Sequence, residues 1–171
     1  MTERLLSGSM GPPPAEPPAF EIHVQQFGYK TRVLTIVPDE YGRPREQAVK
    51  EVLQLRLYQA IVDVKPVPPN ATIVLATGDG SPGPFYEKGF PSSVEFALKR
   101  GWRVELYAWK RGLSESWNEL KRRCEHPEYQ NGKFSIHRSA PGLPFFSRFV
   151  AGSLFPAPAL SKLFVSVSSV V

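Results

Sequence analysis

The sequence predicts an α/β domain, a parallel sheet covered by helices on both faces. Three observations predict it. Short β-rich runs alternate with longer helical stripes from Arg32 onward, and breaks rich in glycine and proline separate them. One run, Ile73 to Ala76, is continuously apolar rather than alternating, as suits a central strand buried on both sides.

The elements follow in order. Val33 to Val37 reads as a buried strand, broken by Asp39, Gly42 and Pro44. Between Glu46 and Val64 a helix places Val49, Val52, Leu53, Leu57, Ala60, Ile61 and Val64 on one face and keeps Lys50, Gln54 and Asp63 off it. The segment PVPPN ends this helix, because proline lacks the backbone donor and steers its predecessor out of the α region. Ile73 to Ala76 forms the second strand and runs into TGDGSPG. A helix from Phe90 to Arg100 closes at Gly101, a residue suited to the left-handed position after a helix. Arg103 to Trp109 is the third strand. Ser114 then caps a helix in which Leu113, Trp117, Leu120 and Cys124 recur at helical spacing, and Phe134 to His137 adds a strand. Beyond Pro141 the pattern dissolves.

A chain of 171 residues suits one domain. Its hydrophobic fraction of 42% and charged fraction of 22% argue against wholesale disorder and against a coiled coil. The start, MTERLLSGSMGPPPAEPP, has no apolar core of signal-peptide length and reads as a flexible proline-rich lead over residues 1–26. Lys162 and two prolines interrupt the apolar stretch from Phe149 to Val171, which excludes a spanning helix there. Cys124 is the single cysteine, so neither a disulfide framework nor a zinc cluster is available within one chain. These features predict an intracellular protein, cytoplasmic or nuclear, with no membrane partner. The formal charge of +5 permits a polyanionic partner, and the excess is local: Lys99, Arg100, Arg103, Lys110, Arg111, Lys121, Arg122 and Arg123 outnumber the acids around them. A solvated helical face explains the same run.

Chemistry is best sought in the turn after the second predicted strand. In wound parallel sheets ligands collect at the carboxyl ends of strands, where loops and helix N-termini converge. Asp79 stands there between Gly78 and Gly80, which permit a tight turn and leave the carboxylate unobstructed as a metal ligand or general base. The same spacing also describes an Asp-Gly turn whose side chain caps local backbone donors. Gly78, Gly80 and Gly83 formally satisfy the dinucleotide fingerprint, with Glu105 as the ribose ligand of an oxidoreductase-like domain. Pro82 and Pro84 delay the following helix, whereas that fingerprint needs a helix opening at once.

TIVLATGDG, then GFPSSVEFALKRGWRVELYAW, then LSESWNELK resembles the second half of an NYN domain, a nuclease-like branch of the PIN fold implicated in RNA cleavage and RNA binding. Upstream, FGYKTRVL and GRPREQAVKEVLQLRLYQAI resemble the preceding strand and helix. The resemblance implies a three-layer, Rossmann-like domain over residues 27–138, lacking its first strand, followed by a proline-containing apolar tail over 139–171. It implies hydrolysis of RNA by water activated on Mg²⁺ or Mn²⁺ held among several carboxylates, with Asp79 as the catalytic and metal-binding acid. Glu87, in the loop after TGDG, is the candidate for a second metal ligand, and a solvated loop glutamate is its alternative.

The sequence departs from that pattern where the mechanism wants negative charge. The opening strand with its early Asp is expected to be absent before Phe27, with Phe20 to Val24 and Leu163 to Val167 as β-capable candidates for the gap. In AVKE, Lys50 stands where the family carries a metal-binding Asp, and Ser81 stands at a second acid's position. The reading is therefore a domain related to metal-dependent endoribonucleases that acts on or binds RNA with impaired chemistry; its alternative is a non-catalytic RNA-binding or protein-interaction module. Lys50, Lys110 and Arg111 are the candidate RNA contacts. His23, His126 and His137 lack metal-ligand spacing, and no serine-nucleophile elbow occurs.

Overall fold

A computed structural model describes residues 2–10, 19–45, 48–81, 89–129, 132–139 and 163–168. It is an α/β fold. In chain order the elements are β1 (Thr2–Met10), α1 (Ala19–Gln26), β2 (Lys30–Thr35), β3 (Val37–Pro38), β4 (Pro44–Arg45), α2 (Val49–Asp63), β5 (Thr72–Ala76), α3 (Gly89–Lys99), β6 (Arg103–Trp109), α4 (Glu115–Arg123), β7 (Lys133–Ser139) and β8 (Leu163–Ser168). Six strands form one sheet in the order β2-β1-β8-β5-β6-β7. β1 lies parallel to β2, β5 to β6 and β6 to β7, whereas β8 runs antiparallel to both β1 and β5. With β8 set aside, the main strands stand second, first, third, fourth, fifth, an order shared by one common class of wound α/β sheets. The small β3–β4 pair is a separate hairpin, and Asp39 organises its turn by accepting from the backbone of Tyr41 at 2.9 Å and Arg43 at 2.8 Å.

The two ends of the chain differ from expectation. Residues 1–26 do not form a single flexible lead: Thr2–Met10 is a strand and Ala19–Gln26 a helix. The prolines that suggested a lead begin only at Pro12, and before them Leu6 is 1% exposed between neighbouring strands. The gap expected between the strands of β2 and β5 holds two strands, β1 and β8. Leu163 to Val167, one of the two candidates for it, lies in β8; Phe20 to Val24, the other, lies in α1. Residues 140–162 fall outside the described residues.

The main core forms where register and periodicity agree. Ile73 pairs with Val104 and Leu75 with Leu106, so all four point to one side of the sheet, and all four are fully buried. Against them lie Leu53, Leu57 and Ile61 from α2, Val94 and Leu98 from α3, and Trp117 and Leu120 from α4. Each buried leucine or isoleucine stabilises the fold by roughly 2 kcal/mol. α2 touches β1, β8 and α3, and its buried face is turned from its apolar stripe to take in Gln54, expected off that face. α3 ends as expected at Gly101, with φ 88°. A smaller cluster, Leu6 with Tyr29, joins β1 to the segment entering β2, with Phe27 and Ala76 packed beside it.

Candidate functional site

β5 ends at Ala76, and the turn from Thr77 to Ser81 is tied down on several sides. The Thr77 amide donates to the Tyr107 carbonyl at 3.0 Å, which extends the β5–β6 ladder by one bond. The Thr77 hydroxyl accepts from the Asp79 amide at 3.1 Å, and Asp79 Oδ1 accepts from the Ser81 amide at 2.8 Å. The local-capping role weighed for Asp79 is therefore realised at one of its two oxygens. Across the rim the Ser114 amide donates to the Gly78 carbonyl at 2.9 Å, and the Ser116 hydroxyl to the Gly80 carbonyl at 3.2 Å. Gly78 is required by close approach, since a Cβ there would overlap the Gly112 carbonyl. Ser114 precedes α4 but forms no side-chain cap; its hydroxyl is paired with that of Ser116 at 2.9 Å.

The other carboxylate oxygen, Asp79 Oδ2, meets Lys50 Nζ at 2.5 Å. Lys50 lies in the first turn of α2, behind Ala48, whose φ of 55° is a left-handed conformation that costs a residue with a Cβ about 1 kcal/mol. Partial burial is the largest single influence on the Asp79 carboxyl and raises its pKa. The Lys50 ammonium and the Ser81 amide together outweigh it and hold the carboxyl below its ordinary range. Both side chains remain about one third exposed, at 34% and 33%, so solvent screening keeps the pair's net contribution to about 1 kcal/mol or less.

Three helix N-termini meet at this turn: α2 through Lys50, α4 through Ser114 and Ser116, and α3 through Gly89, where a Cβ would come within 2.6 Å of the Ser81 carbonyl. Each carries partial positive charge from unpaired amides and the helix dipole. Lys110 and Arg111, in the short 3-10 turn after β6, are exposed and form no ion pair with any described residue. The predicted residues thus divide. Asp79 and Lys50 come together, Lys110 and Arg111 flank them through the Gly112 contact, and Glu87 lies outside the described residues. Ser114 and Ser116 were not foreseen as partners of the turn, and their contacts across more than thirty residues leave no local signal.

A divalent ion needs several oxygen ligands, and Mg²⁺ in particular sheds its waters reluctantly. Among the described residues no group of three or more His, Cys, Asp or Glu side chains could hold a metal, and both oxygens of Asp79 are already engaged. The described residues therefore do not fit the metal site that the resemblance implies. The dinucleotide alternative fares no better here: Gly83 lies outside the described residues, and Glu105 accepts from the Tyr107 hydroxyl at 3.0 Å within β6.

A second charged cluster shares no residue with this rim. Glu95 on α3 accepts from the Tyr129 hydroxyl at 2.6 Å and pairs with Lys99 at 3.4 Å and Arg123 at 3.2 Å. Burial raises the Glu95 pKa most strongly, yet Tyr129, Arg123 and Lys99 bring it below its ordinary value. Burial and then the Glu95 charge push the nearby Cys124 thiol up to about 11, which makes it a poor nucleophile. An open groove of about 520 Å³ runs past these residues, with His126 on its wall. His137 stacks on Tyr107 at 4.3 Å. Among the described residues no helix is long and apolar enough to cross a membrane.

The fold and this rim define a protein of the α/β class with parallel strands and a charged turn at the carboxyl end of its third main strand. Comparison with family models, with curated proteins and with solved structures finds no match.

Proposed function

We propose that this chain is an NYN/PIN-like domain, three-layered and Rossmann-like in plan, that binds RNA without hydrolysing it. The observation that carries the reading is the Lys50–Asp79 ion pair. Where a nuclease of that type would bring acids around a metal ion, this chain supplies its own cation, and Asp79 is neutralised internally. The rim keeps features that suit a phosphodiester chain: convergent helix N-termini, and the exposed cations of Lys110 and Arg111 beside them. With Asp79 neutralised, those cations set the sign of the field at the rim.

Binding of this kind depends on counterion release, so affinity for single-stranded RNA falls steeply with salt. The double variant Lys110→Glu, Arg111→Glu is expected to weaken binding at least tenfold at 0.1 M salt and to flatten the salt slope, as read by fluorescence anisotropy. In Mn²⁺ the wild type is expected to leave the RNA intact. Metal-dependent cleavage that disappears in Asp79→Asn would restore the nuclease reading and with it a role for Glu87.

A further inference from the structure

Without β8 the sheet divides into two units. β1, α1 and β2 form one, with Leu6 and Tyr29 buried between β1 and the segment entering β2; β5, α3, β6, α4 and β7 form the other around the larger core, with Ala76 and Leu5 making the packing contacts between them. Within each unit the described strands run parallel. Among the described strands of this sheet β8 runs against its neighbours and stands between the two units, which α2 also spans from β1 to α3. It stands at the point where strand order reverses, the place where wound sheets open toward ligands.

The backbone makes that position a slot. β8 pairs with Thr2 to Ser7 on one side and with Thr72 to Ala76 on the other, in matched register: Thr2 and Thr72 both face Ser168, and Leu6 and Ala76 both face Phe164. Removing β8 would leave two facing rows of unpaired amides and carbonyls in mid-sheet, and such rows are satisfied by whatever strand is at hand. Ladder hydrogen bonds do not depend on which copy of a chain supplies the strand.

We propose that the space between β1 and β5 is an exchangeable strand-acceptor site, filled here by residues 163–168 of the same chain and open to the same segment of a second copy. A second copy is the occupant the geometry favours, because a sequence already in register with both flanks is what it carries. β8 is distant from β7 along the chain, with residues 140–162 between them in the sequence. The strand in its own chain competes at an effective concentration on the order of millimolar, so exchange belongs to concentrated protein or to conditions that loosen the sheet. β8 enters the sheet opposite Ser7 and Ala76, beside the Thr77–Ser81 turn, so an exchanged pair would bring residues of one copy to the rim of the other.

Full-length chains carrying Cys124→Ser test this, one with Arg4→Cys and the other with Ser166→Cys. These positions are register partners, and each chain then holds one thiol. The two are mixed near millimolar concentration in mild denaturant, returned to buffer and oxidised. A disulfide-linked heterodimer is expected at about ten times the yield from pairing Arg4→Cys with Gln59→Cys, an exposed position on α2 that exchange does not bring near. A single chain carrying both Arg4→Cys and Ser166→Cys is expected to link within itself when dilute. Equal heterodimer yields from the two mixtures would overturn the proposal, and so would failure of the doubly substituted chain to link, since β8 would then not lie beside β1.

Discussion

Asp79 and Glu95 are both half-shielded carboxylates with a lysine beside them, and both titrate below their ordinary range, yet they do different work. Glu95 is held by three partners: the buried Tyr129, Arg123 at the end of α4, and Lys99 one turn further along its own helix. It fastens the end of α4 and the turn after it onto α3. Asp79 has one cationic partner from another element, and its remaining partner is Ser81, two residues on. A carboxylate tied from several elements resists exchange of its partners. One tied by a single, partly buried lysine at a strand's carboxyl end can trade that lysine for a ligand. At the rim, backbone contact supplies the rigidity, and charge is the adjustable part.

The sharpest way to break this comparison is to disturb the rim's backbone. Gly78→Ala places a Cβ against the Gly112 carbonyl, where no side chain can move aside. It is expected to cost roughly 2–4 kcal/mol by urea denaturation, because either the turn or the 3-10 segment must shift. Next in size is Glu95→Ala. It leaves the Tyr129 hydroxyl, in a residue only 3% exposed, without its acceptor, at a cost of about 1–3 kcal/mol. Tyr129→Phe in the same background should recover part of that loss, since it removes the stranded donor. A loss from Glu95→Ala no larger than that from Asp79→Asn would erase the distinction between the two sites.

How far the sequence reveals this molecule follows the same division between local and distant interactions. Arg103–Trp109 matches its predicted bounds, and α2, β5, α3 and α4 lie within a few residues of theirs, because each carries its own periodicity and stop signal. β1 has no counterpart among the expected elements, and β8 appears there only as one of two β-capable candidates for the gap in the sheet. Thr2–Met10 is rich in small residues and followed closely by prolines, and Leu163–Ser168 follows a stretch with no readable pattern. Their pairing is specified by register with distant strands, which neighbouring residues do not encode. The site divides likewise. That Asp79 sits in a turn at a strand's end was legible from Gly78 and Gly80. That Lys50 lies near it is implied by the resemblance alone, and no local pattern shows it, because the ion pair depends on how α2 lies across the sheet.

The smallest expected effect is also the one that separates a structural from an exchangeable carboxylate. In Asp79→Asn, Lys50 is one third exposed and can turn to water, so the predicted cost at pH 7 is at most about 1 kcal/mol. The sign with pH follows from linkage. The Asp79 carboxyl titrates lower in the folded chain than its ordinary 3.8, so its stabilising contribution is complete above that value and is lost as pH falls through the folded pKa. The difference in unfolding free energy between wild type and Asp79→Asn should therefore stay constant from neutrality down to about pH 5 and shrink below about pH 4. Lys50→Met should diminish that acid-side change, because the ammonium is gone and only Ser81 is left to oppose the effect of burial on the carboxyl. A difference that grew with acidity, or one of several kcal/mol at pH 7, would mean that Asp79 is locked into the fold as firmly as Glu95 and is not free to yield its lysine to a phosphate.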